Sequence, residues 1–205
     1  MAKFPQAIWD PITQWPTGPM IDKINLKVVW HMTQGSSYPR STYVAGGGVP
    51  HFTILTTGVI YQHYSSTDYS RALLNLPGGV TTNHDGAIQV EVVGFAGTPI
   101  TVAQVSAVRA LSRWLGNQGV PGRWMNGAPT KRKHDRHGQV KLSNVAWDNG
   151  SGHCGHSDVP ENNHWDPAMT LRFRRAVEAP WQTKRIRARI QRLRARIKAL
   201  RERLP

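Results

Sequence analysis

A single cysteine, Cys154, in 205 residues excludes an intrachain disulfide framework. No apolar run approaches the roughly 18 residues a membrane-spanning helix needs. The Met-Ala-Lys-Phe-Pro start lacks the apolar core of a secretory signal, so the expectation is synthesis in the cytosol without a signal peptide. Acids are scarce too: 12 Asp and Glu stand against 26 Lys and Arg, for a formal net charge of +14. That imbalance is local. Residues 182–205 hold ten Lys and Arg against one acid, Glu202, so the strong basicity belongs to the tail. There is no internal repeat.

What the chain does have is 39% hydrophobic residues interrupted by 19 Gly and 14 Pro, the profile of a loop-rich α/β or α+β protein. Residues 1–23, with Trp9, Trp15 and several prolines, read as an irregular arm. Residues 24–180 read as the folded body and 181–205 as a separate basic helix. In the body, apolar residues at Ile24, Leu26, Val28 and Trp30 have the period-2 pattern of a half-buried strand ending at His31. Gly35 to Gly48 reads as a loop. His51–Leu55 and Val59–Tyr64 flank Thr56-Thr57-Gly58 and read as a hairpin. Ala87–Val93 alternates, with Ile88, Val90 and Val92 on one face and Gln89, Glu91 and Val93 on the other. Thr101 and Gln104 form a capping box for a helix carried to Gly116 by Val105, Val108, Leu111 and Leu115. Residues 117–150 read mostly as loop and include a basic cluster at 131–136. Met169–Ala179 reads as a helix stopped by Pro180. From Ile186, apolar residues at 186, 190, 193, 197, 200 and 204 trace the a/d seam of a coiled coil.

The densest chemistry lies in Gly-His-Ser-Asp-Val-Pro-Glu-Asn-Asn-His-Trp-Asp-Pro, residues 155–167. It places His156, Asp158, His164 and Asp166 within eleven residues, in a segment whose prolines and asparagines oppose a regular helix. His and Asp are ordinary Zn²⁺ ligands, and a catalytic zinc site takes three protein ligands plus an open position. Two further residues meet needs the loop leaves open. His31 ends a strand, where side chains project into a site at the sheet edge. Glu91 is a lone carboxylate among β-branched neighbours, suited to general-base work because desolvation raises its pKa.

With these residues in view, roughly positions 24–178 resemble the zinc-dependent N-acetylmuramoyl-L-alanine amidases of the type 2 amidase and peptidoglycan-recognition-protein superfamily. The chain looks most like the endolysins of phages infecting actinobacteria. The resemblance is carried by Val-Val-Trp-His-Met-Thr (28–33), by Pro-His-Phe-Thr-Ile with Gly-Val-Ile-Tyr-Gln (50–62), and by Asn-His-Asp with Ile-Gln-Val-Glu-Val-Val-Gly (83–94). It closes on Gly-His-Ser-Asp-Val-Pro with His-Trp-Asp-Pro. It implies an α/β fold with a central mixed β-sheet flanked by helices. It implies Zn²⁺ held by His31, His156 and Asp166, with Glu91 as general base and His164 as oxyanion donor. Peptidoglycan would be the substrate, cut between N-acetylmuramic acid and L-alanine after release to the cell wall. His51 and His84 would line the substrate groove. Two departures stand out: Ala168 replaces the usual Gly after Asp-Pro, and Pro50 occupies a position where some relatives carry a catalytic Tyr.

Other readings compete. The same scaffold can serve as a non-catalytic peptidoglycan-binding module, although retention of all three ligands and Glu91 argues against it. His153 and Cys154 read as bystanders, and the 131–136 cluster as a solvated loop. The Ile186–Leu204 seam calls for a partner: a second copy, the body, or an anionic wall polymer or membrane. Nucleic acid is the weakest candidate, because the tail carries no base-reading residue beyond arginine.

Overall fold

The computed structural model describes residues 2–21, 24–130 and 141–201; the side chains of residues 184, 185, 198, 200 and 201 lie outside that description. The basic cluster at 131–136 and Leu204 also fall outside it. A mixed six-stranded sheet forms the centre, in the order β1-β4-β3-β5-β2-β6. Its strands are β1 (Ile8–Trp9), β2 (Lys27–Met32), β3 (Phe52–Ile54), β4 (Ile60–Gln62), β5 (Ala87–Val92) and β6 (Gly152–Gly155). Only the β3–β4 hairpin pairs antiparallel; β5, β2 and β6 run parallel. The helices are α1 (Arg40–Gly46), α2 (Val102–Asn117), α3 (Asn144–Asp148) and α4 (Leu171–Arg201), with a 3₁₀ turn at His156–Asp158. Among the described residues no helix is long and apolar enough to cross a membrane.

Alternation divides the sheet into two chemically different faces. Val28, Trp30, Ile88, Val90, Val92, Phe52 and Ile54 meet Val108, Leu111 and Leu115 of α2 and Phe173, Ala176 and Val177 of α4 in one apolar core. The opposite face carries Val29, Ala87 and Cys154 over Trp147 of α3, and also Lys27, His31, Thr53 and Glu91. Both faces are covered, so β2 is wholly buried rather than half-buried, as central parallel strands are. The strand also starts later than its apolar pattern: Ile24 is 90% exposed, and the ladder begins with Lys27 N–H donating to Gly86 O.

Lys27 itself is fully buried, donating to Asp85 O at 2.7 Å and Asp85 Oδ2 at 3.1 Å. Removing one partner of a buried pair leaves an uncompensated charge. Lys27→Ala is therefore expected to cost about 3–5 kcal/mol, read as a lower urea midpoint at unchanged slope.

The helix α2 keeps its expected capping box, and the hairpin forms with its expected pairing. Two sequence expectations are corrected and one unassigned element appears. Residues 40–46, read as loop, form α1, whose end is closed by Gly47 in the left-handed region at φ 72°. Residues 152–155, of which 152–154 have no element assigned from the sequence, form edge strand β6, because His153 and Cys154 pair with Val28 and Val29. Pro180 does not stop the last helix; α4 runs through it. Proline forfeits one backbone donor there. Trp181, the next residue, is seated against Gly122, where a Cβ would come within 1.7 Å of the indole. It also meets the His153 ring edge-on at 4.7 Å.

Candidate active site

Register brings the site together at the carboxyl ends of the parallel strands, where open α/β sheets commonly bind ligands. His31 of β2 pairs with Glu91 of β5, and Glu91 pairs with Thr53 of β3, so the three occupy one row on the polar face. Strand β6 ends at Gly155, and the chain then turns. Gly155 N–H donates to Asp158 Oδ2 at 2.9 Å, and Asn126 Nδ2 donates to Asp158 Oδ1 at 3.1 Å. Asp158 thus folds the turn that presents His156. The chain returns at Asp166, whose Oδ2 accepts Met32 N–H at 3.0 Å.

His31, His156 and Asp166 are all buried, and their potential ligand atoms lie within 4.8 Å of one another. His31 Nδ1 and His156 Nδ1 face each other at 3.0 Å. His156 Nδ1 is 3.3 Å from Asp166 Oδ1. His156 Nε2 is 3.3 Å from Asn162 Oδ1; placing the proton on Nε2 to make that bond leaves Nδ1 as a lone pair aimed inward. His31 Nε2 is buried without a hydrogen-bond partner, so this ring is not held by a second bond of its own. Two imidazole nitrogens and a carboxylate oxygen converging with almost no donors among them suit a divalent cation such as Zn²⁺. Burial first, and then the neighbouring His156 ring, push His31 well below its ordinary value; it is thus a neutral imidazole. Burial opposes ionisation of Asp166. The nearby His156 ring first, then His31 and the Met32 N–H, outweigh it and hold the carboxyl below its usual range.

Asn162 fixes this arrangement from behind. Its Oδ1 also accepts Leu74 N–H at 2.8 Å, and its Nδ2 donates to Pro160 O and Leu74 O. Groups that orient a ligand histidine commonly change metal affinity by 10–100-fold when removed. Asn162→Ala is expected to weaken Zn²⁺ binding by roughly 10–100-fold, measurable by competition with a chromogenic chelator.

Glu91 stands beside the cluster, with Oε1 3.9 Å from His31 Nδ1 and Oε2 buried without a partner. Burial, and secondarily the Asp166 charge, raise its pKa well above the ordinary carboxyl value. His164 lies at the mouth. Its ring stacks on His156 at 4.1 Å and 9°, its Nδ1 is 3.8 Å from Asp166 Oδ1, and its side chain is 62% exposed. Burial and the His156 charge lower its pKa, so near neutral pH it presents a neutral N–H donor. Glu91, His156, His164 and Asp166 open onto a cleft of about 260 Å³ that Thr33, Gln34 and Leu74 also line.

His51 and His84 do not line this cleft. His51 is fully buried; its Nε2 pairs with Asp68 O at 2.7 Å and its Nδ1 accepts Gln89 N–H at 3.0 Å. Neither nitrogen is left for a substrate. His84 stacks on Tyr69 with ring centroids 3.9 Å apart. A group that sequence reading missed lies behind Glu91. Thr53 Oγ1 is 3.0 Å from His63 Nε2 and 3.2 Å from Tyr43 Oη, and His63 Nδ1 donates to Asp10 O at 2.8 Å. Burial, and then the Glu91 charge, push Tyr43 upward, keeping it a neutral phenol. Tyr43 sits on α1, in the stretch read as loop; only its place beside the matched hairpin hinted at it. Ala168 adopts φ 43°, the left-handed conformation that explains why a glycine suits that position.

Fold and site together define an α/β protein with a buried His31–His156–Asp166 cluster that has the donor set for a metal ion, and an adjacent carboxylate. No protein-family model matches the chain, and no curated protein matches its sequence. Solved structures do. The chain is similar to the selenomethionine derivative of AmpD at a TM-score of 0.53 and 16% identity, over 86% of this chain and 98% of that one. It is also similar to the N-acetylmuramoyl-L-alanine amidase LysC from Clostridium intestinale URNW, with a TM-score of 0.49, 18% identity, and 77% and 87% of the two chains covered. The endolysin N-acetylmuramoyl-L-alanine amidase LysCS from the same organism gives 0.49 and 18%, with 79% and 88% covered. At these identities the AmpD likeness is one of fold.

Proposed function

We propose that this chain is a zinc-dependent N-acetylmuramoyl-L-alanine amidase that cleaves peptidoglycan, serving as a phage endolysin in host-cell lysis. The observation that carries this reading is the buried His31–His156–Asp166 cluster with Glu91 directly beside it. His31, His156 and Asp166 hold the metal, which when bound acts as a Lewis acid towards water and the scissile carbonyl. Glu91 takes the proton from water as the water oxygen bonds to the lactyl carbonyl carbon. Its raised pKa suits it to retain that proton until the C–N bond breaks, and then to give it to the departing L-alanine amine. His164, exposed at the cleft mouth, donates its N–H to the carbonyl oxygen as negative charge gathers there. Asn162 and the Met32 N–H keep His156 and Asp166 in place through the cycle.

The test is a digest of purified cell walls. Free L-alanine amino termini are expected to appear with no gain in reducing sugars, and EDTA or His31→Ala is expected to abolish them. Full activity in the metal-free protein would overturn the reading, whereas wall binding without cleavage would leave a non-catalytic binding module.

A further inference from the structure

The last helix carries two apolar faces, and they point in different directions. Phe173, Ala176 and Val177 are buried against the body. At 3.6 residues per turn, Ile186, Ile190, Leu193 and Ile197 lie roughly 125° round the axis from them. Continuing the docked face along the helix leads instead to Arg187, Ala188 and Gln191, which line a groove with Arg113 and Asn117 of α2. The seam is therefore not an extension of the core. Its four described residues are 43–59% exposed, and Leu200 and Leu204 continue it in sequence.

The charges beside this seam are regular. With Ile190 and Ile197 at a and Ile186 and Leu193 at d, the e positions are Arg187, Arg194 and Arg201 and the g positions are Arg189, Arg196 and Arg203. Every flank of the seam from 187 to 203 is arginine. The positions farthest from it, at f, are Ala188, Ala195 and Glu202, with no Lys or Arg among them. A second copy would set arginine against arginine in either chain direction, which opposes self-association. A bilayer-lying helix shows a broad apolar face, whereas this stripe is the narrow two-per-heptad seam of a coiled coil. We infer that the exposed segment of α4 is a coiled-coil docking surface for a partner helix with apolar a and d residues and acidic e and g residues. Such a partner buries the seam and pairs each flanking arginine with a carboxylate. This inference rests on the tail alone and is read without any hydrolysis, so it stands or falls apart from the amidase proposal.

The experiment uses the full chain and two synthetic helices with Ile and Leu at a and d, one carrying Glu and the other Lys at every e and g position. Calorimetric titration is expected to show one-to-one binding of the acidic helix, roughly a hundredfold tighter than the basic one. The chain alone is expected to sediment as a monomer. Replacing Arg187, Arg189, Arg194 and Arg196 together with Glu should reverse the preference. Ile190→Asn with Ile197→Asn should abolish binding of both helices, while circular dichroism verifies that the body remains folded. Equal binding of the two helices, failure to bind the acidic one, or dimerisation through the seam would each overturn the inference. So would retention on anionic phospholipid vesicles that the acidic helix does not compete away.

Discussion

Glu91→Gln is expected to lower turnover on peptidoglycan by about 10³-fold while leaving the zinc content unchanged. The reasoning is geometric. Glu91 lies beside the His31–His156–Asp166 cluster rather than among the ligands. One of its oxygens is 3.9 Å from His31 Nδ1 and the other is buried and unpaired. Gln keeps the volume and the strand register with His31 and Thr53, and so removes the proton acceptor without opening a cavity. Burial, and secondarily Asp166, raise the Glu91 pKa; both suit a group that must hold a proton and then release it. His31→Ala provides the contrast, since it should lose metal and activity together. Single-turnover rates with metal analysis on the same samples distinguish the two. Near-normal turnover in Glu91→Gln would remove this residue from the proton-transfer step.

The sheet and its best helix were legible because their signals are local. The two-residue alternation of β5 and the capping box of α2 depend on neighbours in sequence, and both appear as read. The candidate site residues were reached through motif order, and the fold brings His31, Glu91, His156, His164 and Asp166 to one strand edge. What escaped depends on partners far along the chain. Strand β6 contains two glycines and has no periodicity; it is a strand only because β2 lies beside it. The helix runs through Pro180, and the next residue, Trp181, is seated on Gly122, far back along the chain. His51 has the chemistry of a site residue, and only its two occupied nitrogens show that it ties Asp68 to β5. Lys27 would ordinarily be placed at the surface, and its burial follows from Asp85, 58 residues away.

Stability is expected to fall by about 6 kcal/mol between pH 6.5 and pH 4 through two histidines outside the metal cluster. Burial pushes His51 down to about 4 and His153 down to about 3. Between those values and the unfolded value near 6.5, the unfolded chain binds more protons than the folded one, so stability rises with pH across that window. It is fully present above about pH 6.5 and is lost progressively as the pH falls towards the folded values. The structural causes differ. Protonating His51 would destroy the bond its Nδ1 accepts from Gln89 N–H. His153 accepts Trp30 Nε1–H at 3.1 Å and is packed against Trp124 and Trp181, so its charged form would lose that bond and gain no water. Urea midpoints measured across this range should therefore slope steeply. His153→Phe keeps the ring packing and should flatten the slope by about half, while leaving Trp30 unpaired costs about 1–3 kcal/mol at neutral pH. His51→Gln combined with His153→Phe should remove most of the remainder. Metal release in acid also contributes to the slope, but it is common to parent and variants, so their difference isolates the two imidazoles. An unchanged slope in the double variant would place the acid sensitivity elsewhere in the fold.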